Sequence, residues 1–279
     1  MSAAPTRPTP YLKWAGGKSQ LLDRIRERLP DTWGTYYEPF LGAGAVLFGI
    51  SPARAIVGDL NAQLIATYTA IRDDVEGVMA EIDALDDGLL SGDPKSWYYE
   101  VRDRYNAALA DAVSDVQMTA MFIFLNKHCF NGLYRVNARG LFNVPYNTST
   151  RPSYDVGNLR AVSACLQGVD IACRDFEETC EGAGPGDFVF FDSPYAPIGD
   201  ASFEAYTKEG FAKEEHERLA ALYRKLDERG CMCMLTNHNT EFIRDLYEGF
   251  AIETVGVKRM INSDASKRTG EEVIVRNYG

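Results

Sequence analysis

FVFFDSPYAPI, from Phe188 to Ile198, is the stretch whose reading decides the fold. Phe188, Val189, Phe190 and Phe191 form an apolar run without alternation, closed by a polar turn, which is the pattern of a strand buried on both faces. In an open α/β sheet ligands bind beyond the carboxyl ends of parallel strands, so Asp192 and Tyr195 stand where a substrate would meet them. A strand that simply ends in an Asp-initiated turn, with the aromatic packed beneath, accounts for the same residues. The segments on either side decide between the two.

Upstream, TYYEPFLGAGAVLFGI (35–50) reads as a strand, a glycine turn and a small-residue helix. Gly42 and Gly44 would let backbone approach a ligand, with helix N–H groups behind it. The dinucleotide fingerprint is incomplete, because Leu47 occupies the third glycine position. RAIVGDLNAQLI (54–65) follows as a strand ending at Asp59, an acid placed to accept hydrogen bonds from a ribose diol or to cap the next helix. This is a nucleoside-binding half without its phosphate contacts. Further upstream, YLKWAGGKSQLLDRIRERL (11–29) turns at Gly16 and Gly17 into a helix with Leu21, Leu22, Ile25 and Leu29 on one face. Its GGKS invites a phosphate-loop reading, which fails because Leu12 occupies the required first glycine position.

From residue 71 to 160 the strand and glycine-turn rhythm stops. Helical spacing covers Val75 to Leu85, Tyr98 to Leu109 and Val116 to Leu125, with GLLSGDPKS (88–96) read as a loop. Residues 125–154 are rich in Asn, Arg and aromatics, a mixture of donors, acceptors and stacking faces that suits base edges and phosphates. A surface hairpin turning at Asn137 to Gly140 explains them equally. We read 71–160 as an insertion into an α/β core made of 1–70 and 161–279. Downstream, Phe211 to Arg229 is a charged amphipathic helix on which His216, among acids, reads as a surface residue. CMCMLTNHN (231–239) is a buried strand with polar residues at its end, and the last segments are two strands around a loop bearing Lys267 and Arg268.

The 279 residues include 46% apolar and 25% charged types, ordinary for a soluble globular protein. No apolar run approaches a membrane span, and the first ten residues lack the apolar core of a signal peptide. Six scattered cysteines read as reduced thiols in a cytoplasmic protein. Cys231 and Cys233 share a strand face, but no second ligand pair is suitably spaced, so no metal is expected. A net charge of −11 argues against a polyanionic partner unless the basic residues gather locally. They do cluster: Lys13 with Lys18, Lys127 with Arg135 and Arg139, and Lys258 to Arg268.

In this order the blocks resemble the Dam-like class of S-adenosylmethionine-dependent DNA N6-adenine methyltransferases, from Tyr11 to Tyr278. KWAGGK (13–18) is similar to the family's N-terminal cofactor motif, EPFLGAGAV (38–46) to its glycine motif and GDLN (58–61) to its ribose-binding acid. NGLYRVNARGLFNVPY (131–146) resembles the target-recognition segment, FFDSPYAP (190–197) the catalytic motif, and TNHNT (236–240) a block with serine or threonine before Asn-His. The resemblance implies a Rossmann-like methyltransferase core with an inserted, mainly helical DNA-recognition domain. It implies S-adenosyl-L-methionine held by Trp14, Lys18, Glu38, Pro39, Phe40, Gly42, Gly44, Asp59 and Asp192. It implies catalysis by Asp192, Ser193, Pro194 and Tyr195 on an adenine flipped out of double-stranded DNA. Lys13, Phe130, Asn131, Leu133, Arg135, Pro145, Lys267 and Arg268 match positions implied in DNA contact. The sequence does not disclose a restriction endonuclease partner.

Two departures bear on function. The family's catalytic motif is usually Asp-Pro-Pro-Tyr, and Ser193 replaces its first proline. After Pro145 and Tyr146 the chain reads NTST, where close relatives carry a Gly-x-Tyr sequence contributing to GATC recognition, so the target sequence stays open. Methylation of cytosine N4, which asks for the same acceptors, and a DNA-binding homologue that has lost catalysis through Ser193 are the alternatives.

Overall fold

The computed structural model describes residues 7–14, 16–18, 21–110, 115–198, 211–258 and 269–279. In chain order the strands are β1 (Tyr36–Glu38), β2 (Ala55–Asp59), β3 (Val169–Cys173), β4 (Phe188–Phe191), β5 (Met232–His238), β6 (Ala251–Lys258) and β7 (Thr269–Arg276). The α-helices are α1 (Leu22–Arg26), α2 (Ala45–Ile50), α3 (Ala62–Ser91), α4 (Pro94–Ala110), α5 (Val116–His128), α6 (Val156–Leu166), α7 (Phe176–Thr179), α8 (Lys213–Glu228) and α9 (Glu241–Leu246). The chain divides into two compact units. One comprises Met1–Gly17, Gly42–Ser51 and Asn61–Cys173, the other Lys18–Leu41, Pro52–Leu60 and Arg174–Gly279.

In the second unit the strands follow the order β2-β1-β4-β5-β7-β6. β2, β1, β4 and β5 are parallel, with Tyr36 opposite Ala55 and Phe188, and Phe188 opposite Met232. All four residues of β4 are buried, as an uninterrupted apolar run requires. Val189 and Phe191 pack in one cluster with Leu219, Leu222, Tyr223 and Leu226 of α8. Phe188, on the opposite face by strand alternation, meets the rings of Trp33, Tyr36 and Tyr278 at 5.8, 5.7 and 6.2 Å. Cutting one such phenylalanine back to alanine costs about 3 to 5 kcal/mol. β6 and β7 pair antiparallel, and β7 in turn pairs antiparallel with β5.

The first unit is mainly helical. α3 starts at Asn61, whose side chain caps the Leu64 N–H at 3.0 Å, so the cap is Asn61 and not Asp59. It runs to Ser91 with one kink, at Asp74. The loop read at 88–96 is shorter than expected. Helix continues through Gly88 because the Trp97 ring lies against it, where an added Cβ would come within 2.3 Å, while the Trp97 indole N–H reaches the Leu85 carbonyl at 2.9 Å. The glycine is there for the tryptophan, not for a turn. α5 buries every residue from Met118 to Asn126 and packs against both α3 and α4.

His216 corrects the reading of that residue as a surface one. It is 1% exposed, set edge-on to Phe211 at 4.8 Å and Phe242 at 5.9 Å, and its Nε2 has no hydrogen-bond partner among the described residues. Its spacing from Leu219, Tyr223 and Leu226 puts it on the apolar face of α8, a signal the surrounding acids obscured. Burial pushes its pKa down from 6.5 to about 4. Between those values the unfolded chain binds one proton more than the folded one. This contribution to stability is therefore full above the unfolded pKa and declines as pH falls toward the folded one, by about 2 kcal/mol at pH 5. Urea midpoints at pH 8 and pH 5 should differ less in His216→Leu than in the wild type. Parallel losses in both proteins would assign the acid sensitivity elsewhere.

Among the described residues no helix is long and apolar enough to cross a membrane, and no group of three His, Cys, Asp or Glu side chains is gathered for a metal ion. Cys231 and Cys233 are both buried, and the Cys231 thiol donates to the Gly184 carbonyl at 3.2 Å.

Candidate active site

β1 ends at Glu38, β2 ends at Asp59, and Asp192 directly follows β4. Since β2, β1 and β4 are parallel neighbours, each presents a carboxylate at its C-terminal end. Glu38 is buried and accepts the Tyr36 hydroxyl at 2.8 Å, while Asp59 is half-buried. Asp192 Oδ1 receives the Lys18 ammonium at 2.6 Å and the Thr236 hydroxyl at 3.1 Å. Burial raises the Asp192 pKa above the ordinary carboxylate value, and the Lys18 charge and the two hydrogen bonds pull it back without winning. Removing the Lys18 ammonium would leave the carboxylate without that countercharge, a loss of about 3 to 5 kcal/mol where an ion pair is buried.

Tyr195 is held on several sides. Lys18 Nζ lies over its ring, 4.4 Å from the centroid, its hydroxyl donates to Glu272 Oε2 at 2.8 Å, and the His238 ring stands at 76° to it with centroids 4.8 Å apart. The next residue is fastened through its backbone. Ala196 N–H donates to Asn237 Oδ1 at 2.9 Å, and its carbonyl accepts from His238 Nδ1 at 2.7 Å, which fixes the proton on that nitrogen. Ser193 is buried and Pro194 exposed. The Ser193 hydroxyl and Asn237 Nδ2 are both buried with no hydrogen-bond partner among the described residues.

The remaining residues expected at the cofactor divide between the units. Pro39 is buried at the end of β1, and the Phe40 ring meets those of Phe176 and Phe211 at 5.4 and 5.7 Å, all in the second unit. Trp14, Gly42 and Gly44 belong to the first unit. Both glycines have positive φ, +48° and +67°. A Cβ on Gly42 would press the Trp14 ring at 3.3 Å, and one on Gly44 would meet the Tyr68 hydroxyl at 2.9 Å. The turn is therefore closed to side chains on two counts.

Six of the expected DNA-contacting residues, Lys13, Phe130, Asn131, Leu133, Arg135 and Pro145, lie in the first unit, and all six are exposed. Phe130 is 55% exposed, unusual for so large an apolar ring. Asn126, which the sequence reading passed over, ties this group together. Its side chain accepts from Lys13 N–H at 2.8 Å and donates to the carbonyls of Lys13 and Gly132 at 2.9 and 3.2 Å. Asn143 accepts from Arg135 Nε at 3.0 Å, and the Pro145 carbonyl accepts from Phe130 N–H at 2.8 Å. Lys267 and Arg268 lie outside the described residues.

Sequence reasoning thus names Lys18, Asp192 and Tyr195, which the fold gathers, gives Thr236 and His238 of TNHNT no role, and misses Glu272; all three of these touch the gathered residues. Nothing near Glu272 distinguishes it from Glu271 except strand alternation, which requires the β5–β7 register.

A parallel sheet with a carboxylate at three successive strand ends and an antiparallel strand between its last two members defines a Rossmann-like methyltransferase fold. The chain belongs to the D12 class of N6 adenine-specific DNA methyltransferases, whose family model matches residues 14–261. It is 44% identical over 286 residues to the type II methyltransferase M.MjaIII of Methanocaldococcus jannaschii, covering 96% of this chain and 99% of that one. It is 35% identical to the type II methyltransferase M1.LlaDCHI of Lactococcus lactis subsp. cremoris, over 97% of this chain and 95% of the other. It is 30% identical to the DNA adenine methylase of Escherichia coli K12, over 96% and 94%. Membership implies an enzyme that methylates adenine N6 in DNA and uses S-adenosylmethionine.

Proposed function

We propose that this chain methylates adenine N6 in double-stranded DNA at the Asp192–Tyr195 site, with S-adenosylmethionine bound along the carboxylate ends of β2, β1 and β4. The observation that carries this reading is the Lys18 ammonium at the end of β4, which holds the Asp192 carboxylate at 2.6 Å and lies 4.4 Å from the centroid of the Tyr195 ring. The donor set fits the cofactor. Three carboxylates suit a ribose diol and a ligand bearing cations, and they would repel the pyrophosphate of a dinucleotide. Asp59 would hold the ribose, Glu38, Pro39, Phe40 and Lys18 would line the site, and the family's motifs add Trp14, Gly42 and Gly44 to the residues expected to contact the cofactor. When bound, S-adenosylmethionine supplies an electrophilic methyl group on a sulfonium.

The residues of the chain do the rest. An adenine inside the duplex cannot reach this site and must be extruded, at a cost of about a few kcal/mol. Tyr195 offers it a stacking face. The Asp192 carboxylate and the Ser193 carbonyl would accept the two N–H bonds of the amine, which localises its lone pair away from the ring and toward the methyl donor. Rate would come from positioning and fixed dipoles, without a covalent enzyme intermediate. Asp192 need not be a strong base, because the proton leaves after the nitrogen has become cationic. Titration calorimetry should find one S-adenosylmethionine site per chain and none for a nicotinamide dinucleotide. The reverse preference would remove this assignment.

The segment 71–160 would read the target, with Lys13, Phe130, Asn131, Leu133, Arg135 and Pro145 at the DNA and Lys267 and Arg268 on its phosphates. The exposure of Lys13, Phe130, Asn131, Leu133, Arg135 and Pro145 supports this, and exposed Phe130 is suited to entering the base stack. Arg135→Ala should relax selectivity among DNA sites by about 1 to 3 kcal/mol, the worth of an arginine on a guanine edge. Competition binding with single-base variants of a preferred site tests this. A uniform loss across sequences, with a smaller salt slope, would make Arg135 a phosphate anchor instead.

A further inference from the structure

We propose that Glu272 is a positioning residue for methyl transfer, acting through the Tyr195 hydroxyl to fix the angle and the electron density of the ring on which the target base stacks. The proposal rests on the reading of Tyr195 as that platform. Its basis is the register of β5 and β7, which places Glu272 directly opposite His238. Directly opposed residues of antiparallel strands share a face, and both of these reach Tyr195. Glu272 accepts a hydrogen bond from its hydroxyl at 2.8 Å, and His238 sets its ring edge-on while holding the Ala196 carbonyl at 2.7 Å. The aromatic ring is therefore fixed from the sheet at two points, one at its hydroxyl and one at its side.

The charge on Glu272 adds a second effect. A phenol donating to a carboxylate carries more electron density on its ring face than one donating to water or to an amide. As the methyl–nitrogen bond formed, the methyl–sulfur bond would break with its electron pair returning to sulfur as a neutral thioether, and the positive charge would rest on the amine nitrogen until its proton left to solvent. An electron-rich face beneath the base stabilises that cation more than the neutral base. Glu272 should consequently act on turnover more than on DNA binding, since the neutral base gains little from it.

The test is a double-mutant cycle of Glu272→Ala and Tyr195→Phe, with kcat and the KM for DNA measured in each protein. Either change alone should lower kcat about tenfold to thirtyfold, with KM for DNA within about twofold. The double variant should be no slower than the slower single one, because both remove the same bond. Glu272→Gln, which keeps an acceptor and loses the charge, should fall between, at about three- to tenfold. If Glu272→Ala does not fold, the Gln variant replaces it in the cycle. Effects that multiply, or a Glu272 variant with wild-type kcat, would overturn the proposal. Tyr195→Ala is the control for the platform itself. Full activity in that variant would dismiss Tyr195 as the stacking face, whereas an inactive Tyr195→Ala beside a fully active Glu272→Ala would dismiss Glu272 alone.

Discussion

Asp192→Ala should lower methyl transfer by about a thousandfold or more, with secondary structure intact. The side chain lies at the end of β4, and losing it removes the acceptor that would orient the target amine. It also leaves the Lys18 ammonium, 2.6 Å away in the wild type, without that carboxylate. Circular dichroism and a urea midpoint separate a lost reaction from a lost fold. Asp192→Asn keeps the shape and one acceptor oxygen, and it should retain more activity than the alanine variant. The same carboxylate sets a pH limit. Its pKa lies above the ordinary 3.8 because of burial, so the acid side of the kcat profile should begin at a higher pH than for an exposed aspartate. Activity is lost as pH falls through that raised value, where protonation removes the acceptor. Wild-type turnover in Asp192→Ala would exclude this residue from the reaction.

The second large effect is expected at Asp59. Asp59→Ala should weaken S-adenosylmethionine by about 1.5 to 3 kcal/mol, the worth of hydrogen bonds to a charged group, and leave DNA affinity nearly unchanged. At the end of β2, beside β1, the carboxylate has the placement that a ribose diol requires. Asn61 performs the helix-capping task, which leaves the functional reading of Asp59 without that competitor. Titration calorimetry with the cofactor, and a separate DNA titration, measure the two affinities. Unchanged cofactor affinity would remove Asp59 from the site.

Much of this was legible in the chain because apolar runs, glycine turns and strand-end acids are local signals. FVFF had to be a doubly buried strand, and it is. What was not legible depended on pairing. Glu272 meets Tyr195 only because β7 lies beside β5 in one register, and no short-range pattern states that register. His216 was misread because charge in its neighbours outweighed the helical period that places it with Leu219 and Tyr223. Gly88 has the local signal of a breaker, whereas its missing side chain makes room for Trp97 in the same unit.

Ser193 is where the chain departs from the family's usual motif at the proposed centre of the chemistry. Its expected task belongs to a backbone carbonyl, which serine has, and Pro194 still pushes it toward extended φ/ψ. The hydroxyl it adds is buried and finds no partner among the described residues, a cost that proline would not carry. Ser193→Pro should therefore turn over as fast as the wild type or faster. The deciding measurement is transfer of a labelled methyl group from S-adenosylmethionine to unmethylated genomic DNA, followed by nucleoside analysis of the wild type beside Ser193→Pro. Label on adenine N6 with both proteins is the predicted result. Label on cytosine N4, or a wild type that binds cofactor and DNA yet transfers no methyl until Ser193 is replaced by proline, would contradict it.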